Sequence, residues 1–216
     1  MIFKINSLWT KDFQDVLKPM QKLVIASNNP GKLREFQFLL QPLGIEVLTQ
    51  AQLGIEEAEE PHVTFIENAL AKARHVSRLS GLPALADDSG ICVTALGGAP
   101  GVLSARYAGD SPKSDQRNNE KLLREMQGIA DRCAHYYCVL VLLRHADDPQ
   151  PLIAEGEWHG EIAHQERGDG GFGYDPLFWL PSLNKMSAEL SRDEKHAISH
   201  RGKALHVLLQ RLRPTT

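Results

Sequence analysis

Four short polar clusters carry residue types suited to chemistry on an anionic ligand. The first lies in IASNNPGKLREF, residues 25–36, where an apolar run stops at a turn and a charged run begins. A turn that opens a helix directs backbone N–H groups outward, and such groups bind phosphate oxygens. Gly31 permits backbone geometry that other residues resist, with Ser27 and Pro30 completing the turn. Asn28 and Asn29 bring amide groups, and Lys32 falls in the first helical turn. A cation there opposes the helix dipole unless an anion lies nearby. The Walker pattern GxxxxGK[ST] is absent, because Leu33 follows the lysine. An ordinary βα turn with a solvated lysine accounts for the same residues, so this cluster alone does not decide.

The second cluster is ADDSG, residues 86–90. Carboxylates at strand ends commonly hold Mg2+. Asp87 and Asp88 point to opposite sides if the strand continues, so one of them faces a given site. An Asx-type turn in a hairpin is the alternative. The acidic run GIEEAEE (54–60) is either a solvated loop or the source of Glu59 or Glu60 beside Asp88 around a metal. In GDGGFGYDP (168–176), glycines let backbone approach a ligand, and Phe172 or Tyr174 can stack on a planar ring. The backbone around Asp175 can read the polar edge of that ring; a glycine-rich turn with aromatic plugs is the other reading. In KHAISHRG (195–202), Ser199 can cap the last helix, which puts His200 and Arg201 in its first turn. Cations there need an anionic partner. Lys195 and Arg201 suit phosphate or base contacts, against the alternative of a solvated basic patch.

Periodicity supplies the elements that must position these clusters. QKLVIAS (21–27) reads as a strand, KLREFQFLLQPLG (32–44) as a helix and IEVLT (45–49) as a second strand. TFIENALAKARHVSRLSG (64–81) is a helix with Thr64 and Glu67 placed for a capping box. LPALADDSGICV (82–93) reads as a strand that ends in acids, then a turn, then apolar residues again. ALGGAPGVLSARYAG (95–109) reads as a shaped loop and SDQRNNEKLLREMQG (114–128) as a helix. CAHYYCVLVLLRHA (133–146) and PLIAEGEWHGEIA (151–163) read as long neighbouring strands joined by a turn. Residues 186–212 close the chain mostly as helix, broken near Ile198 to His200. This order predicts an α/β fold with a mixed sheet and a cleft between a larger and a smaller lobe.

Bulk composition narrows the function. The 216 residues suffice for one core, and 24 basic residues against 27 acidic ones argue against a nucleic-acid groove. Cys92, Cys133 and Cys138 match neither a metal spacing nor a disulfide scaffold, which predicts thiols in a reducing, cytoplasmic setting. No apolar run approaches membrane-spanning length. Residues 1–19 read as an N-terminal extension with no catalytic role, and 20–216 as a single catalytic domain of two lobes.

Taken together, SNNPGK, FIENA, ADDSG, LGGAPG…SARY, GGFGYDP and KHAISHRG resemble the inosine/xanthosine triphosphate pyrophosphatases of the RdgB/HAM1 type, from about Met20 to Leu212. The resemblance implies a mixed α/β fold with an elongated central sheet, flanking helices and two lobes around a nucleotide-binding cleft. It implies a homodimer that hydrolyses ITP, dITP and XTP to the monophosphate and pyrophosphate with Mg2+. By motif, residues 27–32 hold the triphosphate, Asp88 is proton acceptor and metal ligand, and Ser89 touches substrate. Glu59 is the second acidic metal residue, with Glu60 close behind. Phe172, Gly173, Tyr174 and Asp175 surround the purine, and Lys195, His200 and Arg201 complete recognition. Many relatives carry Gly where this chain has Asn28.

Overall fold

Parallel strands need a crossover of a dozen or more residues, whereas a short turn makes strands antiparallel. Both kinds of connection occur here. The structure, a computed structural model, describes residues 21–40, 44–109 and 112–212. The expected extension over 1–19 lies outside that range. Strand β1 (Lys22–Ile25) is followed by helix α1 (Pro30–Leu40) and β2 (Glu46–Thr49); helix α2 (Phe65–Ser80) then leads to β3 (Ala84–Val93). Strand β1 pairs with β2 and β3 in parallel. Helix α3 (Asp115–Glu125) precedes the long strands β4 (Cys133–Leu143) and β5 (Leu152–Ile162). Short strands β6 (Phe178–Leu180) and β7 (Lys185–Met186) follow, then helices α4 (Arg192–Ile198) and α5 (His200–Arg211). All pairings from β3 onward are antiparallel, giving a mixed seven-stranded sheet in the order β2-β1-β3-β4-β5-β6-β7.

The helix limits follow from local chemistry. The Thr64 hydroxyl oxygen accepts the Glu67 N–H, and left-handed Gly81 closes α2. The expected capping box is altered: the Glu67 carboxylate accepts a hydrogen bond from the Thr64 hydroxyl at 2.5 Å. The break near Ile198 to His200 is real. Ser199 closes α4 with its N–H and caps α5 by accepting the Gly202 N–H at 3.2 Å.

One expectation fails. DDSG is no turn; β3 runs straight through it and pairs with β4 at every residue from Ala84 to Val93. Ten consecutive rungs against the long apolar β4 outweigh the local turn preference of Asp, Ser and Gly. Strand alternation then separates the two acids. Ala84 and Ala86 face Ala69, Ala73 and Val76 of α2. Leu85, on the opposite face, packs with Phe36 of α1 and Leu205 and Leu208 of α5. Farther along the sheet, Ile91 and Val93 join Leu122, Tyr136, Trp158 and Phe178 in a separate cluster beside α3. The expected loop over 95–109 contains two short 3-10 turns, Thr94–Leu96 and Gly101–Arg106.

Helix α5 crosses β5 at Gly156, where an added Cβ would lie 2.2 Å from the His200 carbonyl oxygen and 2.6 Å from the Ala204 nitrogen. Both neighbours are backbone and cannot rotate away. Gly156→Ala is expected to lower stability by about 1–3 kcal/mol and to cut activity by displacing the start of α5. Unchanged urea unfolding would show that α5 does not rest on that glycine.

Candidate functional site

Strand β1 ends early. Its last contact with β3 is the Ala26 N–H to the Leu85 carbonyl, at 2.9 Å. Beyond it β3 continues with β4 on one side only, so Asp87 and Asp88 stand where the first parallel strands stop. Ligands of open α/β sheets bind at such carboxyl ends. A cavity of about 490 Å3 opens there, lined from the β1–α1 turn, the 57–60 segment, α2, β3, the GFGYD loop and the α4–α5 junction.

The β1–α1 turn holds itself together. The Asn29 carboxamide oxygen accepts the N–H groups of Gly31 at 2.9 Å and Lys32 at 3.2 Å, capping α1. Those two amides, expected to face a phosphate, are therefore engaged within the turn. Ser27, Asn29 and Lys32 line the cavity, whereas Asn28, Pro30 and Gly31 do not. Gly31 lies under the Phe172 ring, and a Cβ there would meet it at 2.8 Å. This close approach accounts for the glycine and joins two motifs distant in sequence. The anion beside Lys32 is one of the protein's own: its Nζ is 3.0 Å from Asp87 Oδ2.

Asp87 belongs to a buried ion network. Arg201, 2 % exposed, donates to Asp87 Oδ2 and Ser89 Oγ at 3.2 and 3.0 Å and pairs with Glu35 of α1. Burial pushes the Asp87 carboxyl up, but Lys32, Arg201 and Lys72 together hold it well below the usual carboxylate range. Arg201 therefore sits in the cleft floor with its guanidinium committed. Glu35, three residues after Lys32, has no signal in the turn motif and reads as an ordinary helix residue.

Asp88 faces the other way. Its Oδ1 is 3.2 Å from Lys72 Nζ, and its Oδ2 accepts from Asn68 at 3.3 Å. Lys72 also reaches Glu60 Oε1 at 2.7 Å, and Arg106 holds Glu60 Oε2 at 2.9 Å. Of the two acids considered, Glu60 shares Lys72 with Asp88, while Glu59 lines the rim and is exposed. Burial raises the Asp88 pKa, with Glu60 and Asp87 adding to the rise against Lys72 and Lys32. Burial works against ionised Glu60 too, yet Lys72 and Arg106 bring it down to about 2. Asn68 and Lys72 are one turn apart on the face of α2 that carries Ala69 and Ala73. Polar residues on that otherwise apolar stripe were the available signal for them.

At the far end, Asp175 accepts from the Phe172 N–H at 2.8 Å, the Ser187 hydroxyl at 2.8 Å and Lys195 Nζ at 2.5 Å. Lys195 Nζ also lies 5.0 Å from the Phe172 ring centroid. Tyr174 is buried, with its hydroxyl donated to the Ser104 carbonyl at 2.8 Å; it anchors the loop, leaving Phe172 as the half-buried aromatic. Burial, then the charges of Arg201 and Lys195, press the His200 pKa well below its ordinary value. This favours the neutral ring, which stacks on Tyr136 at 4.7 Å. His200 is not the second cation that the SHRG sequence led us to expect.

The cleft thus joins a lysine at one wall, a carboxylate of raised basicity at another and an aromatic loop at the end. The sequence matches the Ham1 family over residues 23–211. It is 68 % identical over 196 residues to a dITP/XTP pyrophosphatase of Ralstonia nicotianae, covering 90 % of this chain and 98 % of that protein. It is 66 % identical over 193 residues to a dITP/XTP pyrophosphatase of Nitrosomonas europaea, covering 89 % and 95 %. A solved structure of a HAM1 protein from Coxiella burnetii superposes with a TM-score of 0.83 at 47 % identity, over 89 % of this chain and 98 % of that one.

The ion network makes two predictions. Arg201→Met leaves Glu35 buried without its main cation and Asp87 with Lys32 alone in direct contact, and is expected to cost about 3–5 kcal/mol in denaturant unfolding; full stability would remove the network from the stability account. Glu60 is depressed in the folded state, so its stabilisation is complete above 4.5 and is lost as pH falls through about 2. Glu60→Gln should flatten acid unfolding in that window, and an unaltered acid limb would contradict the pairing with Lys72 and Arg106.

Proposed function

The chain belongs to the Ham1 family, and from that premise we propose that it is a Mg2+-dependent pyrophosphohydrolase converting ITP, dITP and XTP to the monophosphate and pyrophosphate. The observation that carries this reading is one cleft in which Lys32, Asp88 of raised pKa and the Phe172–Asp175 loop face the same space. Such an arrangement suits a ligand with phosphates at one end and a planar ring at the other. By removing deaminated purine nucleotides, the enzyme keeps them out of DNA and RNA.

Magnesium is usually held by one or two carboxylates together with substrate phosphates and water, with no protein cage. Among the described residues no group of three or more His, Cys, Asp or Glu is placed to hold a metal. The two carboxylates on Lys72, Asp88 and Glu60, fit the sparser mode, with Glu59 on the adjoining rim. These residues would hold the ion, and when bound it offsets negative charge on the phosphate oxygens.

The remaining work belongs to side chains. Lys32 binds phosphate oxygens, exchanging part of its contact with Asp87 for the ligand. Asp88 accepts the proton of the water that attacks phosphorus at the α–β junction; the phosphoanhydride bond breaks and pyrophosphate leaves. A carboxylate of raised pKa is a better base than an ordinary one. Lys72 and Asn68 fix its orientation. At the other end, Lys195 Nζ, which has three protons and gives one to Asp175, offers donors to the 6-oxo group of hypoxanthine or xanthine. The amino group of adenine would leave such donors unpaired, which discriminates strongly. A homodimer and a cytoplasmic setting are part of this proposal. No helix among the described residues is long and apolar enough to cross a membrane.

Released pyrophosphate measured for ITP, XTP, dTTP and ATP, with and without Mg2+, tests the reading. Turnover of ITP and XTP only with Mg2+ is expected. Equal use of ATP or dTTP overturns the purine assignment. Asp88→Asn should lower kcat by about 10²–10⁴-fold with KM little changed; unaltered turnover would exclude Asp88 as the base.

A further inference from the structure

Helix α3 takes no part in the chemistry just described, yet it holds the loop that meets the base. The Gly173 N–H donates to Asp115 Oδ2 at 2.7 Å, and Asn119 Nδ2 donates to the Gly173 carbonyl at 3.2 Å. Asp115 and Asn119 are four residues apart and so share one helical face. Both backbone polar groups of a single glycine are therefore gripped by one helix. Gly173 has φ of 64°, while an added Cβ would meet nothing within 4 Å. The glycine is required by its left-handed backbone, not by crowding.

The grip fixes two successive peptide planes, 172–173 through its N–H and 173–174 through its C=O. Neither plane can flip without breaking a bond to α3. The neighbouring Asn118 steadies the segment beneath, donating to the Ser104 carbonyl at 3.4 Å and accepting the Ala108 N–H at 2.7 Å. That same Ser104 carbonyl receives the Tyr174 hydroxyl. Asn119 is 3 % exposed, and its Oδ1 has no hydrogen-bond partner among the described residues. Burying an unsatisfied carbonyl is costly. Ala or Leu at this position would avoid that cost, so the bond from Nδ2 to Gly173 is what the amide contributes.

We propose that Asp115 and Asn119 are positioning residues for purine selectivity, clamping the Gly173 backbone so that Phe172 and the 173–175 backbone present one fixed surface to the base. This rests on the reading that the GFGYD loop holds the purine. The clamp lowers the ordering that substrate binding must impose on the loop, which acts on KM and selectivity, while the phosphate end keeps its geometry.

The test compares Asn119→Ala, Asp115→Ala and Asp115→Asn with the parent enzyme, using ITP and ATP with Mg2+ and thermal unfolding. Asn119→Ala gains helix propensity and loses the orphaned oxygen. It is expected to keep or raise Tm while raising KM for ITP by about tenfold, with kcat within about twofold and the ITP-to-ATP preference reduced. A merely structural residue would move Tm downward instead. Asp115→Asn keeps an acceptor oxygen for the Gly173 N–H and should restore most of the KM lost in Asp115→Ala, although both lack the charge at the start of α3. An unchanged KM in Asn119→Ala, or Asp115→Asn as impaired as Asp115→Ala, overturns the clamp. A parent enzyme with no preference for ITP over ATP overturns the purine reading itself, and the clamp with it.

Discussion

A guanidinium almost sealed from water sets the terms for this molecule. Arg201 enters the interior from the first turn of α5 and needs negative partners there, since an unpaired buried cation is too costly to keep. Glu35 arrives from α1, and Asp87 from β3. Three elements far apart in sequence must therefore reach one point together. Buried ion pairs of this kind are often no more stabilising than apolar packing. What they contribute here is placement. Glu35 also lies 3.9 Å from Lys195, which in turn holds Asp175. A line of alternating charge thus runs from Lys32 at one wall of the cleft to the GFGYD loop at its other end.

Two adjacent aspartates acquire different characters from that frame. Asp87 lies among Lys32, Arg201 and Lys72 and is held ionised. At Asp88 burial, with Glu60 and Asp87 adding to it, outweighs Lys72 and Lys32, so its proton is released less readily. Titratable neighbours whose surroundings push their pKa values apart are a recurrent way to separate a fixed charge from a working base. The separation needs no difference in residue type, only opposite faces of one strand.

Much of this was legible in the residues. The caps at Thr64 and Ser199 mark real helix starts, and the long strands β4 and β5 do pair. What was not legible depended on the third dimension. ADDSG carries turn formers, and only the pairing with β4 carries the strand through it. Glu59 and Glu60 are equivalent on paper; the positions of Lys72 and Arg106 distinguish them. Glu35, Asp115 and Asn119 sit within helices where polar residues are ordinary. His200 looks like a cation until its burial among aromatic rings is known.

The continuity of β3 has a consequence for how this chain can vary. Side chains alternate strictly along a strand, so adding or removing one residue ahead of Asp87 would exchange which acid meets Arg201 and which meets Lys72. A length change of two would restore the facing but slide both acids along β4. Between Ala84 and Asp88 the protein can therefore tolerate changes of spelling but not of count. Its reading frame here is spatial as well as genetic, and homologous enzymes are expected to align through this strand without gaps.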